Sequence, residues 1–255
     1  MNAHIRQAVA KCGDIAIQYL RGHFTRDEIK KRYLPLMAIL AFGFLLLSWW
    51  LYPPQLHYSI FTHTISYLGD WSKTPGWWAW SIAMCVLAIS FFPLILYIHR
   101  RLNQICLKTA RVGSFFGVVA CACIFILGFV SDVSQPLVGP LTWDNVHMFF
   151  TYGGFGGMGI SVIFYSIVFT KDHVPRFGGK QVVGPKRSLP PHLLIFGVAI
   201  ATGVSQAIKE VLYPNAGWNG PGLTSISFWE WMLMFSIFIY VFWVALILPE
   251  KFPTQ

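Results

Sequence analysis

Charge is what this chain lacks most. Asp, Glu, Lys and Arg together make up 11% of its 255 residues, less than half of the roughly 25% found in ordinary soluble domains. A water-facing surface cannot be covered from so small a supply, which excludes a soluble globular class. Cysteine is scarce as well. Of the five, Cys12 and Cys106 fall in basic segments and Cys85, Cys121 and Cys123 inside apolar stretches, so a disulfide framework is not expected, and no Cys-x-x-Cys pair is present. Histidine pairs at the H-x-x-x-H spacing of helical zinc sites are missing. Acids are outnumbered by bases, ten against nineteen. The bases are spread over short segments instead of forming one patch, so nucleic acid is not an expected partner.

What the chain has is hydrophobic length: 55% of its residues are hydrophobic and 17% aromatic. Six stretches, 34–51, 77–98, 112–130, 147–170, 192–213 and 228–248, carry no Lys or Arg apart from Lys209 near one end. Each approaches the ~20 residues that cross a bilayer as a helix. None shows the alternation a membrane β-barrel needs, so each must satisfy its backbone by forming a helix. The predicted fold class is all-α, an integral membrane bundle of six transmembrane helices.

Seventeen of the 19 Lys and Arg fall before the first stretch, at 100–111, at 171–187 and at Lys251, leaving Lys73 and Lys209 on the other side. The positive-inside rule then makes both the N and C termini cytoplasmic and gives the bases anionic inner-leaflet lipid as a partner. Residues 1–33 are read as a cytoplasmic amphipathic segment, 34–250 as the six-helix domain and 251–255 as a cytoplasmic tail. Within the first segment Ile5, Val9, Cys12, Ala16 and Tyr19 recur at helical spacing, which predicts an N-terminal amphipathic interfacial helix. The first stretch has no cleavage site after it and is expected to stay as a helix, not to act as a cleaved signal peptide. The expected location is multi-pass integral membrane, the cell (inner) membrane if the source is prokaryotic.

Polar groups concentrate on the predicted outer side. His57, Ser59, His63, Ser66 and Asp70 follow helix one, Asp132 follows helix three, Asp144 and His147 open helix four, and Gln206, Lys209 and Glu210 close helix five, with Glu230 near the start of helix six. In a bundle these would meet in one pocket, so Ser66, Asp70, Asp132, His147, Gln206, Lys209, Glu210 and Glu230 are candidate ligand-binding residues. His63, His147 and Asp132 have the donor types for zinc or another transition metal, and Ser59 and His63, four apart, would share a helical face as nucleophile and base. Blander roles compete. Asp144 sits where an N-cap is wanted, and Ser227 with Glu230 has capping-box spacing. Lys209 could equally join Asp132 or Glu230 in an interhelical ion pair. The run Gly154-Phe-Gly-Gly-Met-Gly159 matches a dinucleotide fingerprint literally but lies inside an apolar helix. It reads better as packing, with Gly153 and Gly157 as a small-xxx-small pair.

The stretch 61–69, Phe-Thr-His-Thr-Ile-Ser-Tyr-Leu-Gly, followed by Pro75 and an aromatic run, resembles the first outer loop of an uncharacterised prokaryotic six-helix membrane protein family. It is also distantly similar to the damage-regulated autophagy modulator and Sfk-like family. Gly128-Phe129, His147 and Glu230-Trp231 match further positions in order. The resemblance implies a six-helix bundle with both ends cytoplasmic and a lipid-related role, and carries no assigned activity. Seven-helix ceramidase-like hydrolases also use serine, histidine and aspartate. They need a late H-x-x-x-H, whereas here no His follows His192.

Two functions are therefore expected in competition. One is a non-catalytic membrane protein that binds lipid or a partner helix through the outer pocket, alone or as a subunit of a larger membrane complex. The other is a metal-dependent lipid-modifying hydrolase or transferase. A small-solute transporter ranks last, because no helix is broken mid-membrane by paired Gly and Pro.

Overall fold

The computed structural model describes residues 13, 17–171, 183–212 and 222–250. Its first helix, α1 (Arg26–Trp50), opens on a capping box in which Thr25 and Glu28 satisfy each other's end groups. It widens into a π turn over Ile29–Tyr33 just ahead of Pro35, whose missing N–H disrupts the regular ladder. The other helices are α2 (Trp77–Leu127), α3 (Trp143–Thr170), α4 (Pro185–Leu212) and α5 (Ile226–Ile247). A two-stranded hairpin of β1 (Pro136–Val138) and β2 (Leu141–Thr142) precedes α3.

The span α2 holds the separate second and third helices expected from sequence, two helical arms that meet at a break. Straight, its 51 residues would measure about 77 Å at 1.5 Å per residue, more than twice the hydrocarbon thickness. It is not straight. Cys106 has extended geometry (φ −148°, ψ 94°), and the chain reverses there. The two arms run antiparallel: Ile95 lies against Gly117, His99 Nδ1 is 3.0 Å from Ser114 Oγ, and Gly128 meets Cys85. The basic connection 99–112 contains neither Gly nor Pro, so the helix persists to the reversal. The two arms of α2 together with α1, α3, α4 and α5 thus provide six apolar passes, as the six hydrophobic stretches predicted.

The first arm of α2 is the hub. Trp80, Leu87, Phe91, Leu94, Ile95 and Ile98 are all buried. Around it, α1 is tied by Tyr33 Oη donating to the Ser90 carbonyl (2.8 Å), and α5 by Phe238 packed between Phe42 and Phe91. The second arm meets α3 at glycines. A Cβ on Gly157 would lie 3.1 Å from the Phe116 carbonyl oxygen, and one on Gly153 would lie 2.7 Å from Cys123 Sγ. The small-xxx-small reading of that pair therefore holds.

Helix α4 packs along α5, with Trp243 Nε1 donating to the Arg187 carbonyl and Tyr240 Oη 3.1 Å from His192 Nε2. It has little contact with α3, which it meets through Phe169 and His192. Toward the opposite end α3 and α4 stand on two sides of a cavity.

The bundle's outside is apolar. Ile39, Leu46, Trp50, Phe115, Phe129, Phe149, Leu193 and Ile200 are exposed, a belt too extensive for a water-soluble surface. With five helices long and apolar enough to cross a bilayer, this is a multi-pass membrane protein. Its two ends differ. One, here the basic end, carries the start of α1, the Cys106 bend and Arg187; the other, the acidic end, carries the loops 51–76 and 128–142. The expected N-terminal amphipathic helix and the tail 251–255 lie almost wholly outside the described residues. Of the helix's apolar positions only Tyr19 is described; it stacks on Phe24 at 4.9 Å and bonds Glu28. Tyr213 and Lys251 also lie outside.

Candidate binding cavity

The short 3-10 turn Ile65–Gly69 organises the acidic end. Leu68 is fully buried, and Gly69 presses on the face of Trp80 so closely that a Cβ there would lie 2.3 Å from the indole. Only glycine fits. Ser131 Oγ donates to the Gly69 carbonyl at 2.8 Å and Ser48 Oγ to that of Leu68 at 3.2 Å, so α1 and the loop after α2 both hold the turn. This leaves Ser66 aimed at α3. Its Oγ lies 3.0 Å from Nε2 of His147, whose Nδ1 lies 2.8 Å from the Val130 carbonyl oxygen. A carbonyl only accepts, so Nδ1 carries a proton. In the neutral ring Nε2 is then a lone pair facing the Ser66 hydroxyl. His147 is fully buried, and Trp80 stacks on it with centroids 6.1 Å apart.

Next to this pair stand four carboxylates. Asp70 is buried and consumed locally: Oδ1 accepts from the Ser72 amide and hydroxyl (2.9 and 2.5 Å), and Oδ2 pairs with Lys73 at 2.9 Å. Asp132 has Asp144 as its carboxylate neighbour, and adjacent carboxyls disfavour each other's charge. Asp144 lies in the first turn of α3. Asp132 is raised well above the usual carboxylate range, chiefly by burial, then by Asp144 and more weakly by Asp70. Glu230, one turn into α5, has the Ile65 amide beside its carboxyl, while its Oε1 is buried without a hydrogen-bond partner. Among the described residues Thr151 Oγ1 and Trp80 Nε1 are likewise buried and unpartnered.

These groups line two neighbouring spaces. The outer cavity, about 880 Å³, is walled by Ser66, Asp70, Lys73, Asp132, Asp144 and Glu230, and by Thr202, Gly203 and Gln206 of α4. Beside it a narrow slot of about 60 Å³ lies in the hub between Trp80, Leu87, Phe91, Met158 and Phe238. Ser66, Thr151, Phe155 and Glu230 line both.

Of the candidates named from sequence, the structure brings Ser66, Asp70, Asp132, Gln206 and Glu230 to the cavity wall, with His147 directly behind Ser66. Lys209 and Glu210 are not on that wall. They pair with each other at 3.3 Å, and Glu210, largely exposed, also takes a bond from Gln206. An interhelical ion pair from Lys209 to Asp132 or Glu230 is therefore not what forms. The expected metal ligands do not assemble. Both ring nitrogens of His147 are engaged, and His63 sits in a ring cluster with Tyr52, Tyr58 and Tyr67. Among the described residues no three His, Cys, Asp or Glu side chains form a ligand set. Nor do Ser59 and His63 pair: Ser59 Oγ accepts from the Phe61 amide, and His63 Nδ1 faces Thr62.

Two capping assignments also change. Helix α3 is capped by Thr142 in a box with Asn145, which places Asp144 inside the first turn. Helix α5 starts at Ile226, so Ser227 and Glu230 are helical and form no box. What sequence reasoning missed is the serine–histidine partnership between residues 81 positions apart, together with the roles of Trp80 and Thr151.

Fold and site together define a multi-pass helical membrane protein with a polar cavity at one end of its bundle. Neither a protein-family model, nor a curated protein, nor a solved structure matches the chain.

Proposed function

We propose that this membrane protein binds an amphiphile, a polar lipid whose headgroup enters the outer cavity while an acyl segment follows the apolar slot. One observation carries the reading: a polar space and an apolar space meet at Ser66, Thr151, Phe155 and Glu230. Ionisable groups within membrane spans are expensive and mark ligand pathways when they face a cavity. The unpartnered Glu230 Oε1 and Thr151 Oγ1 are suited to a headgroup with hydroxyl or ammonium donors. The weak contact of α3 with α4 offers lateral access from the bilayer. With the basic end facing the cytoplasm by the positive-inside rule, the cavity opens on the outer leaflet. The metal-dependent alternative loses support with its ligand set.

Gly203 supplies the test. It lines the cavity, and a Cβ there meets nothing within 4 Å, so Gly203→Phe starts without a backbone clash and adds bulk at the cavity wall. Native mass spectrometry of protein released from nanodiscs of total lipid extract should show retained lipid on the wild type and at least a severalfold loss on G203F at unchanged melting temperature. Equal retention by both proteins, or none by the wild type, overturns the reading.

A further inference from the structure

The pair at the cavity floor has more chemistry than binding needs. Ser66 Oγ is 3.0 Å from His147 Nε2, within reach for proton transfer. The Val130 carbonyl at 2.8 Å fixes the tautomer, as the third member of a nucleophile, base and orienting-group set does. Packing fixes the ring as well, since Trp80 stacks on it and His147 is fully buried. Ser66 is held on a turn tied from both sides and lines both the polar cavity and the apolar slot. The same slot is lined by two buried donors without partners, Trp80 Nε1–H and Thr151 Oγ1–H. A tie between two elements would require only a hydrogen bond. It would not require a serine open to a cavity, or unpaired donors lining the same slot, each of which carries a desolvation cost of ~1–3 kcal/mol.

We infer that Ser66 is the nucleophile and His147 the general base of an acyl transfer from an ester-linked lipid, with no metal in the step. This deepens the amphiphile reading and rests on it. Ser66 Oγ attacks the ester carbonyl carbon, and its proton passes to His147 Nε2. The carbonyl π electrons move onto oxygen, and the resulting oxyanion is served by the Trp80 and Thr151 donors. Collapse re-forms the carbonyl and breaks the bond to the alkoxy group, which leaves with the proton from His147 Nε2. The acyl group remains on Ser66. Water, or the hydroxyl of an acceptor alcohol, then attacks the acyl-serine carbonyl. Its proton travels by way of His147 to Ser66 Oγ, releasing acid or new ester and restoring the hydroxyl. The Asp70–Lys73 pair and the Asp132–Asp144 pair form the polar wall toward which the headgroup lies during the step.

The experiment uses the full chain in lipid nanodiscs and a long-chain alkyl fluorophosphonate, with the adduct mapped by peptide mass spectrometry. The expected result is a stoichiometric phosphonyl adduct on Ser66, lost in Ser66→Ala. In His147→Gln its rate should fall about 100-fold, the low end of what a positioned base contributes. Melting temperatures confirm that both variants are folded. Should Ser66→Ala melt early, Ser66→Cys keeps nearly the same size, and because a soft thiol is a poor nucleophile toward the hard phosphorus centre the adduct is expected to be lost there too at wild-type melting temperature. Absence of any Ser66 adduct on wild-type protein that still retains lipid overturns the acyl transfer and leaves the binding reading standing. An adduct forming at the same rate in His147→Gln overturns the assignment of the base. Loss of lipid retention together with loss of the adduct points instead to failure of the amphiphile reading itself.

Discussion

At the residue scale the site is a set of local accommodations, and the sequence exposes some of them better than others. That polar residues gather at one end was legible from their positions between apolar stretches. Which of them touch was not. Ser66 and His147 lie in segments with no shared periodicity, and only tertiary packing brings Nε2 to Oγ. The signal that could have pointed to Ser66 was its place in Ile-Ser-Tyr-Leu-Gly, where the glycine is required by Trp80. Asp144 was misread because an Asp before an apolar helix fits a cap as well as Thr142 does, and the hairpin decides between them by delivering Thr142 in extended geometry.

Asp132 yields a pH prediction. Its folded carboxyl is raised above its unfolded value, so the folded state binds more protons between the two. Stability attributable to this group is then fully present below the ordinary carboxylate range and declines as pH rises to the raised folded value. Asp132→Asn removes that decline. Melting curves in detergent should show the variant gaining on wild type from acid to neutral pH, with no gain below about pH 4, near the unperturbed carboxylate value. A constant difference at every pH would contradict the raised Asp132 carboxyl.

At the element scale, helix placement was the most legible feature, since each apolar stretch is long and free of interior breakers. How far the two arms of α2 run into the basic segment, to a single break at Cys106, was not, because a cluster of bases resembles a loop when judged by polarity, although its residues are sound helix formers. Close packing of α3 against the second arm of α2 gives a paired test. Gly157→Leu drives a side chain into the Phe116 carbonyl and Ala120 and should lower the melting temperature by several degrees. Gly156→Ala, where a Cβ meets nothing within 4 Å, should leave it unchanged or slightly raised, since Ala favours helix over Gly by about 1 kcal/mol. Equal effects of the two in thermal melts would show that these glycines are not a contact face.

At the scale of the whole molecule, the proposed sidedness rests on charge alone, and chemical access tests it. In a cysteine-free background Val138→Cys, at an exposed position of β1, should react with a membrane-impermeant maleimide on intact cells. Gln104→Cys, beside the α2 bend, should react only after permeabilisation. The reverse pattern would place the cavity on the cytoplasmic leaflet.

The reversal at Cys106 also bears on how the molecule is built during synthesis. Two apolar arms joined without a loop present themselves to the insertion machinery as one helical hairpin, and their contacts join residues near in sequence, the class that forms fastest. The hub would thus be in place before the later passes exist. Helix α3 then docks on the nascent hairpin and brings His147 to a waiting Ser66. Glu230 enters last, on a helix that can settle only once α1 and the hairpin have formed its seat. The cavity is therefore the final feature to close, and a chain interrupted before α5 would carry the serine–histidine pair without Glu230, which lines both the polar space and the slot.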